Sequence, residues 1–196
     1  MSAPNLARAL LAPRCVALVG ASADLAKNTA RPQRYLRKHG YTGTIVPINS
    51  SASKCLGEKA YSSLDAAPEG IEHALVMVPG RFVLGVIEQC VRKQIPVASI
   101  YSDGFAETGE EGRKLQERLV AVAREGGVRL TGPNCMGMIN TRMPCALSIN
   151  AVLDIDRLIQ GRVGLVSQSG SVMGALLSRG QARGLGFSKL VSVGNE

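Results

Sequence analysis

The sequence predicts an α/β protein in which a doubly wound parallel sheet is followed by the opening of a second α/β unit. Three observations carry this. Short β-branched segments alternate with amphipathic helical stretches along most of the 196 residues. Each apolar segment runs into a turn rich in Gly, Ser, Asn or Pro. Twenty-two glycines stand against three Phe, four Tyr and no Trp, a balance that suits tight strand-to-helix turns better than an aromatic-rich sandwich. Hydrophobic residues, at 45%, supply ample material for a core, and the length allows one full domain and part of another.

The first strand is Cys15–Val19, ending at Gly20. A loop over 21–30 leads to a helix that opens near Pro32, where proline is tolerated in a first turn, and stops at His39-Gly40. A second strand runs over Thr44–Ile48, and a short helical turn is expected over 62–67. The third strand, 74–78, is stopped by Pro79-Gly80. Its helix places Val83, Val86, Ile87, Cys90 and Val91 on one stripe. A fourth strand over 97–101 empties into a loop, and the next helix carries Leu115, Leu119, Val122 and Ala123 on one side. The fifth strand is 128–130. Such regular alternation implies helices on both faces of a parallel sheet. This assigns 1–140 to a first domain and 141–160 to a connector. A second unit follows over 161–196, with a strand at 162–166, a helix at 172–183 and a strand at 187–193 that ends in Gly194-Asn195-Glu196. Two strands and one helix cannot cover a parallel sheet, so this unit reads as cut short.

A formal net charge of +8 suits nucleic acid, acidic membranes or a polyanionic small ligand. Scarce aromatics count against nucleic acid. No apolar run nears the ~20 residues of a membrane span, and Leu6–Leu11 is too short for a signal segment. Five cysteines form no C-x-x-C pair and have no His-rich partner, which argues against zinc and against a disulfide framework. No nucleic-acid partner, no membrane, no metal and a reducing cytoplasmic setting are therefore expected.

In an open parallel sheet, ligands bind at the carboxyl ends of the strands, near the reversal of strand order. The turns gathered there are Gly20-Ala21-Ser22, Ile48-Asn49-Ser50, Val78-Pro79-Gly80, Ser102-Asp103-Gly104 and Gly132-Pro133-Asn134-Cys135. Small residues admit close backbone approach, and N–H groups ahead of a helix favour phosphate. Lys27, Arg31, Arg34 and Lys38 share one helical face; Lys27 and then Arg31 are taken as the ligand-facing members. A nicotinamide-dinucleotide site would want G-x-G-x-x-G after the first strand and an acid after the second. Here the first turn retains one of those glycines and the second strand ends Asn49-Ser50-Ser51. Ser169 sits in a strand-turn-helix setting, but Ser167 replaces the glycine of a nucleophile elbow and no His follows. Cys135 reads as a packed cysteine, His39 as solvated and His73 as structural. No acid–base pair is evident.

Several stretches together resemble the N-terminal part of the NDP-forming acyl-CoA synthetases, the family of ADP-forming acetyl-CoA synthetase and the succinyl-CoA synthetase α subunit. They are PRCVALVGAS at 13–22, HGYTG at 39–43, DGFAETG at 103–109, GPNCMGMIN at 132–140 and VSQSG at 166–170, with GFSK at 186–189 and SVGNE at 192–196. The resemblance implies a Rossmann-like coenzyme A-binding domain followed by the start of a flavodoxin-like domain. The ligand's phosphates would meet Gly20, Ala21, Ser22 and Lys27, with Asn49 at the same rim. Val78, Pro79, Ser102 and Gly104 would line the nucleotide, and Gly132, Pro133 and Asn134 would lie nearer the thiol. Ser169, Gly170 and Ser171 would turn a helix N-terminus toward a phosphorylated histidine. In the complete enzyme the family makes acyl-CoA from acid, CoA and a nucleoside triphosphate, using ATP/ADP, Mg and an ATP-grasp module or subunit. That histidine and that module lie outside this chain, so it is expected to bind without turning over and to hold no catalytic residue. The family's Val-Asn-Pro-Lys after the second strand is Ile48-Asn49-Ser50-Ser51 here, with Lys54 the nearest lysine. The family's acid near the third strand is His73, and its glycine after the loop lysine is missing from Asn28-Thr29. Two other readings stand beside this one. The first is a non-catalytic CoA-sensing module of a protein acyltransferase, and the weaker second is an NAD-binding oxidoreductase domain. A homo-oligomer is left open.

Overall fold

The computed structural model describes residues 5–195. A short helix α1 (Leu6–Leu11) begins at Asn5, whose side chain accepts from the Arg8 amide. Strands β1 (Cys15–Val19) and β2 (Thr44–Ile48) are joined by helix α2 (Arg31–Lys38), with Pro32 in its first turn. Two short strands, β3 (Lys54–Cys55) and β4 (Glu58–Lys59), form an antiparallel hairpin. Then follow β5 (His73–Val76), α3 (Gly80–Arg92), β6 (Val97–Ile100), α4 (Glu110–Glu125) and β7 (Arg129–Thr131). The five long strands pair in the order β2-β1-β5-β6-β7, all parallel. The chain leaves β1 toward β2 and returns to β5 on the other side. Strand order therefore reverses between β1 and β5, which opens the crevice there.

Two apolar layers close the sheet. Val19, Val76, Ile87, Ile100, Phe105 and Leu119 belong to one, beneath α3 and α4. Val16, Leu18, Leu36, Leu75 and Met138 belong to the other, beneath α2. His73 lies within the sheet, fully buried, with Nδ1 3.1 Å from the Ala9 carbonyl and Nε2 2.8 Å from Ser99 Oγ. Ser99 in turn lies 2.6 Å from Thr131 Oγ1. This polar chain ties α1 to β5, β6 and β7, and the expected structural role of His73 is what the contacts describe.

Segment 141–160, expected as a connector, carries more structure than that. Strands β8 (Gly137–Asn140) and β9 (Cys145–Ser148) form an antiparallel hairpin, and a 3-10 turn covers Ala151–Asp154. The hairpin joins β10 (Gln160–Ser167) and β11 (Phe187–Ser192), with helix α5 (Gly170–Gln181) between the last two, in a second sheet of order β10-β11-β8-β9. All eight hairpin positions are buried, so the alternation that reveals a half-exposed strand is absent. Asn140 turns the hairpin, its Oδ1 accepting from the Arg142 and Met143 amides. The expected helical turn at 62–67 is an irregular turn instead. Ser63 Oγ accepts from the Ala66 amide there, and the Leu64 amide donates to Gln89 Oε1.

Helix α2 carries Arg31, Arg34 and Lys38 of the expected basic face, but Lys27 lies ahead of it, with extended backbone at the N-cap of a 3-10 turn over Asn28–Ala30. Arg34 lies 3.1 Å from Asp154, which also accepts from the Tyr35 hydroxyl, and Lys38 lies 3.7 Å from Asp156. Lys27 and Arg31 have no ion pair among the described residues. The two residues expected to face a ligand are the two left without such partners.

Candidate functional site

The five small-residue turns lie along one rim and are laced to one another. The Gly20 amide donates to the Ile48 carbonyl at 3.0 Å, and the Met77 amide donates to the Val19 carbonyl at 2.8 Å. Gly20 has φ +87°, and a Cβ there would fall 2.9 Å from the Met77 carbonyl oxygen. Only glycine meets both demands. Asn49 Nδ2 donates to the Ala21 carbonyl at 2.8 Å while its Oδ1 accepts from the Ser51 and Ala52 amides. The Tyr101 amide donates to the Val76 carbonyl, Ser102 Oγ donates to the Val78 carbonyl, and the Asn134 amide donates to the Ser102 carbonyl.

This lacing separates residues that support the rim from those with groups still free. The Ser102 hydroxyl hydrogen, one hydrogen of the Asn49 side-chain amide and the Gly104 amide are spent inside the protein, the last on Glu107 Oε1 at 2.6 Å. Past β1, Ser22 Oγ accepts from the Asp24 amide and the Asp24 carboxylate accepts from the Ala26 amide. The Ser22 and Ala23 amides have no partner among the described residues. Lys27, later in the same loop, is exposed, as is Pro79 after β5. Open N–H groups, a free ammonium and no carboxylate at the end of β2 fit a ligand that carries phosphates.

A cleft of about 340 Å³ lies beyond the last turn. Asn134, Cys135, Met136 and Tyr101 line one side, and Gln168, Ser169, Gly170 and Ser171 the other, with Gly194 and Asn195 between. Ser169 caps α5, its Oγ accepting from the Val172 amide at 3.2 Å. Gly170 and Ser171 are the first residues of the helix, so their amides have no intrahelical acceptor. The end of β11 threads between the two sides. Gly132 N donates to Val193 O, Val193 N to Ser167 O, and Asn195 N to Pro133 O. Gly194, at φ +70°, lets the backbones meet, since a Cβ would lie 2.1 Å from Pro133 O. The turn expected near the thiol and the helix N-terminus expected near a phosphorylated side chain thus share one cleft. Tyr101, Met136, Gln168 and Asn195 line it without having been singled out from the sequence.

Burial raises the Cys135 thiol above its ordinary pKa, with hydrogen bonds from its surroundings opposing this only in part, so little thiolate forms. His39, expected as solvated, is half-buried, with Nε2 2.8 Å from the Leu153 carbonyl. Among the described residues no cluster of three or more His, Cys, Asp or Glu stands ready for a metal. No helix among them is long and apolar enough to cross a membrane.

Residues 14–141 match a family model described as a CoA binding domain. The chain belongs to the CoA-binding domain family. Residues 160–196 match a second model, the succinyl-CoA ligase like flavodoxin domain. The chain is 38% identical over 187 residues to the ADP-forming acetate–CoA ligase I of Archaeoglobus fulgidus, covering 95% of this chain and 26% of that protein. It is 36% identical over 192 residues to the α subunit of the corresponding Pyrococcus furiosus enzyme, covering 96% and 41%. Among solved structures, a Candidatus Korarchaeum cryptofilum dinucleotide-forming acetyl-coenzyme A synthetase 1, in complex with phosphate and ADP, superposes with a TM-score of 0.89 at 32% identity. That match covers 97% of this chain and 39% of the other. This CoA-binding chain therefore spans less than half the length of these relatives. The fold is the expected one, a Rossmann-like parallel α/β sheet followed by the start of a flavodoxin-like domain.

Proposed function

We propose that this chain is the coenzyme A-binding portion of an ADP-forming acyl-CoA synthetase, and that by itself it binds the coenzyme without turning it over. The observation that carries this is the continuity of one rim. Open amides and a free lysine past β1 lead along the strand ends to a polar cleft that faces the N-terminus of α5. Such a run suits a long ligand with phosphates at one end and a slender arm at the other. Gly20, Ala21, Ser22 and Lys27 would hold the phosphates, with Asn49 keeping the Ala21 turn in place. Val78, Pro79, Ser102 and Gly104 would shape the nucleotide pocket, and Gly132, Pro133 and Asn134 would guide the arm. The start of α5, at Ser169, Gly170 and Ser171, favours an anion, such as the phosphorylated histidine that the resemblance implies in the complete enzyme. The chain's partner would be an ATP-grasp module or subunit carrying the nucleotide and Mg chemistry. Asn49 in place of an acid favours a ligand with a ribose phosphate over NAD.

Lys27→Glu tests the phosphate end. Lys27 is exposed and outside every ion pair among the described residues, so thermal unfolding should hardly change. Reversing a charge beside a phosphate should weaken coenzyme A binding by at least about tenfold, with the loss shrinking as salt rises. Unaltered affinity in a calorimetric titration would remove Lys27 from the site.

A further inference from the structure

Glu107 and Asn195 meet where the rim and the cleft join. Glu107 sits in a 3-10 turn, Ala106–Thr108, directly after the loop that leaves β6. Its Oε1 accepts from the Gly104 amide at 2.6 Å and the Phe105 amide at 3.1 Å. Two successive amides thus make a small anion nest that the protein fills with its own carboxylate. The other oxygen, Oε2, accepts from Asn195 Nδ2. Burial works against the charge on Glu107, but the hydrogen bonds from Asn195 and from the backbone amides outweigh it and hold the acid below its ordinary pKa. An ionised carboxylate is the better acceptor for all three.

Asn195 uses every polar atom of its side chain. Its Nδ2 also reaches Gln116 Oε1 of α4 at 3.1 Å, and its Oδ1 lies 3.5 Å from Asn134 Nδ2. Its backbone amide donates to the Pro133 carbonyl at 2.9 Å. One side chain at the end of β11 therefore joins the loop after β6, the helix α4 and the loop after β7. Neither Glu107 nor Gly104 has spare capacity for a phosphate, so this cluster is built to hold position.

We infer that the Glu107–Asn195 pair is a positioning lock: it fixes the Asn134 turn against the α5 N-terminus and so sets where the thiol arm of the ligand lies. The inference rests on the proposed function, because it assigns a role at the thiol end of that same site. Glu107 and Asn195 are positioning residues that act through Asn134; they need not touch the ligand.

The polarity of the pair supplies the test. Glu107→Gln turns either an amide N–H₂ toward Asn195 Nδ2 or a donor toward the Gly104 amide. Asn195→Asp sets two carboxylates against each other. The double variant E107Q/N195D restores a donor opposite an acceptor with the roles exchanged. Titrations of the four proteins use coenzyme A and adenosine 3′,5′-bisphosphate, which carries the nucleotide end without the arm. They are run where circular dichroism shows all four folded. Each single variant should weaken coenzyme A by about five- to tenfold, the size of one ordinary intramolecular hydrogen bond. Adenosine 3′,5′-bisphosphate should stay within about twofold, and the double variant should recover most of the coenzyme A affinity. Equal losses for both ligands, unchanged coenzyme A affinity, or a double variant no better than the singles would overturn the lock. A wild-type chain that bound neither ligand would overturn the proposed function together with the lock. Wild-type binding with indifferent variants would overturn the lock alone.

Discussion

Gly20→Ala is expected to lower stability by about 3 kcal/mol and to remove more than about tenfold of the coenzyme A affinity. The left-handed backbone alone costs an alanine about 1–2 kcal/mol. The rest comes from the new methyl group, which would stand 2.9 Å from the Met77 carbonyl oxygen and 3.2 Å from Val78 Cγ1. Relief requires β1 and β5 to part at their carboxyl ends, and that is where the crevice opens. Stability and binding should therefore fall together, with melting lowered by roughly 6–12 °C for a chain of this size. Gly57→Ala is the matched control. Gly57 has φ +88°, but a methyl group added there would meet nothing within 4 Å, so it should show the conformational part alone and leave binding intact. Equal effects at the two positions would mean that the contact with Met77 contributes nothing.

Acid should destabilise the protein through His73. Burial pushes its pKa down from 6.5 to about 4, despite the opposing pull of the Ala9 and Leu10 carbonyls. Between pH 6.5 and about 4 the unfolded chain binds a proton at this side chain and the folded chain does not. Stability from this group is therefore constant above pH 6.5 and falls as pH drops through that window. A shift from 6.5 to about 4 corresponds to about 3 kcal/mol at the acid end. His73→Gln carries no titrating proton there, so urea unfolding from pH 7 to pH 4.5 should show a shallower decline in the variant than in the wild type. Parallel declines would contradict the account of a neutral, fully desolvated imidazole. Carboxylates titrating in the same range contribute equally to both proteins and drop out of the comparison.

Much of the fold could be read locally. The strands β1, β2, β5, β6 and β7 are short β-branched runs bounded by turn residues, and α3 and α4 each present one apolar stripe. The β8–β9 hairpin escaped because burial on both sides erased its alternation. Helix α1 escaped because six residues carry too little periodicity to register. In the site, the rim turns were legible because a parallel sheet collects its carboxyl ends on one edge. The cleft was less so. Tyr101, Gln168 and Asn195 come together only through the pairing of β11 with β8 and β10, a long-range register that no local pattern encodes. Likewise the sequence places Ser102 and Gly104 against the nucleotide but does not show that their hydrogens are turned inward to Val78 and Glu107. The Lys38 ammonium is drawn to Asp156, a pairing between distant segments that local spacing does not reveal.

Calorimetric titration of this chain with coenzyme A, dephospho-coenzyme A and NAD bears on the central reading most directly. Saturable binding of coenzyme A, with clear preference over the other two, is the predicted result. It would reflect a phosphate-seeking turn past β1 and an uncharged Asn49 beyond β2. A preference for NAD, or no heat with any of the three, would contradict it.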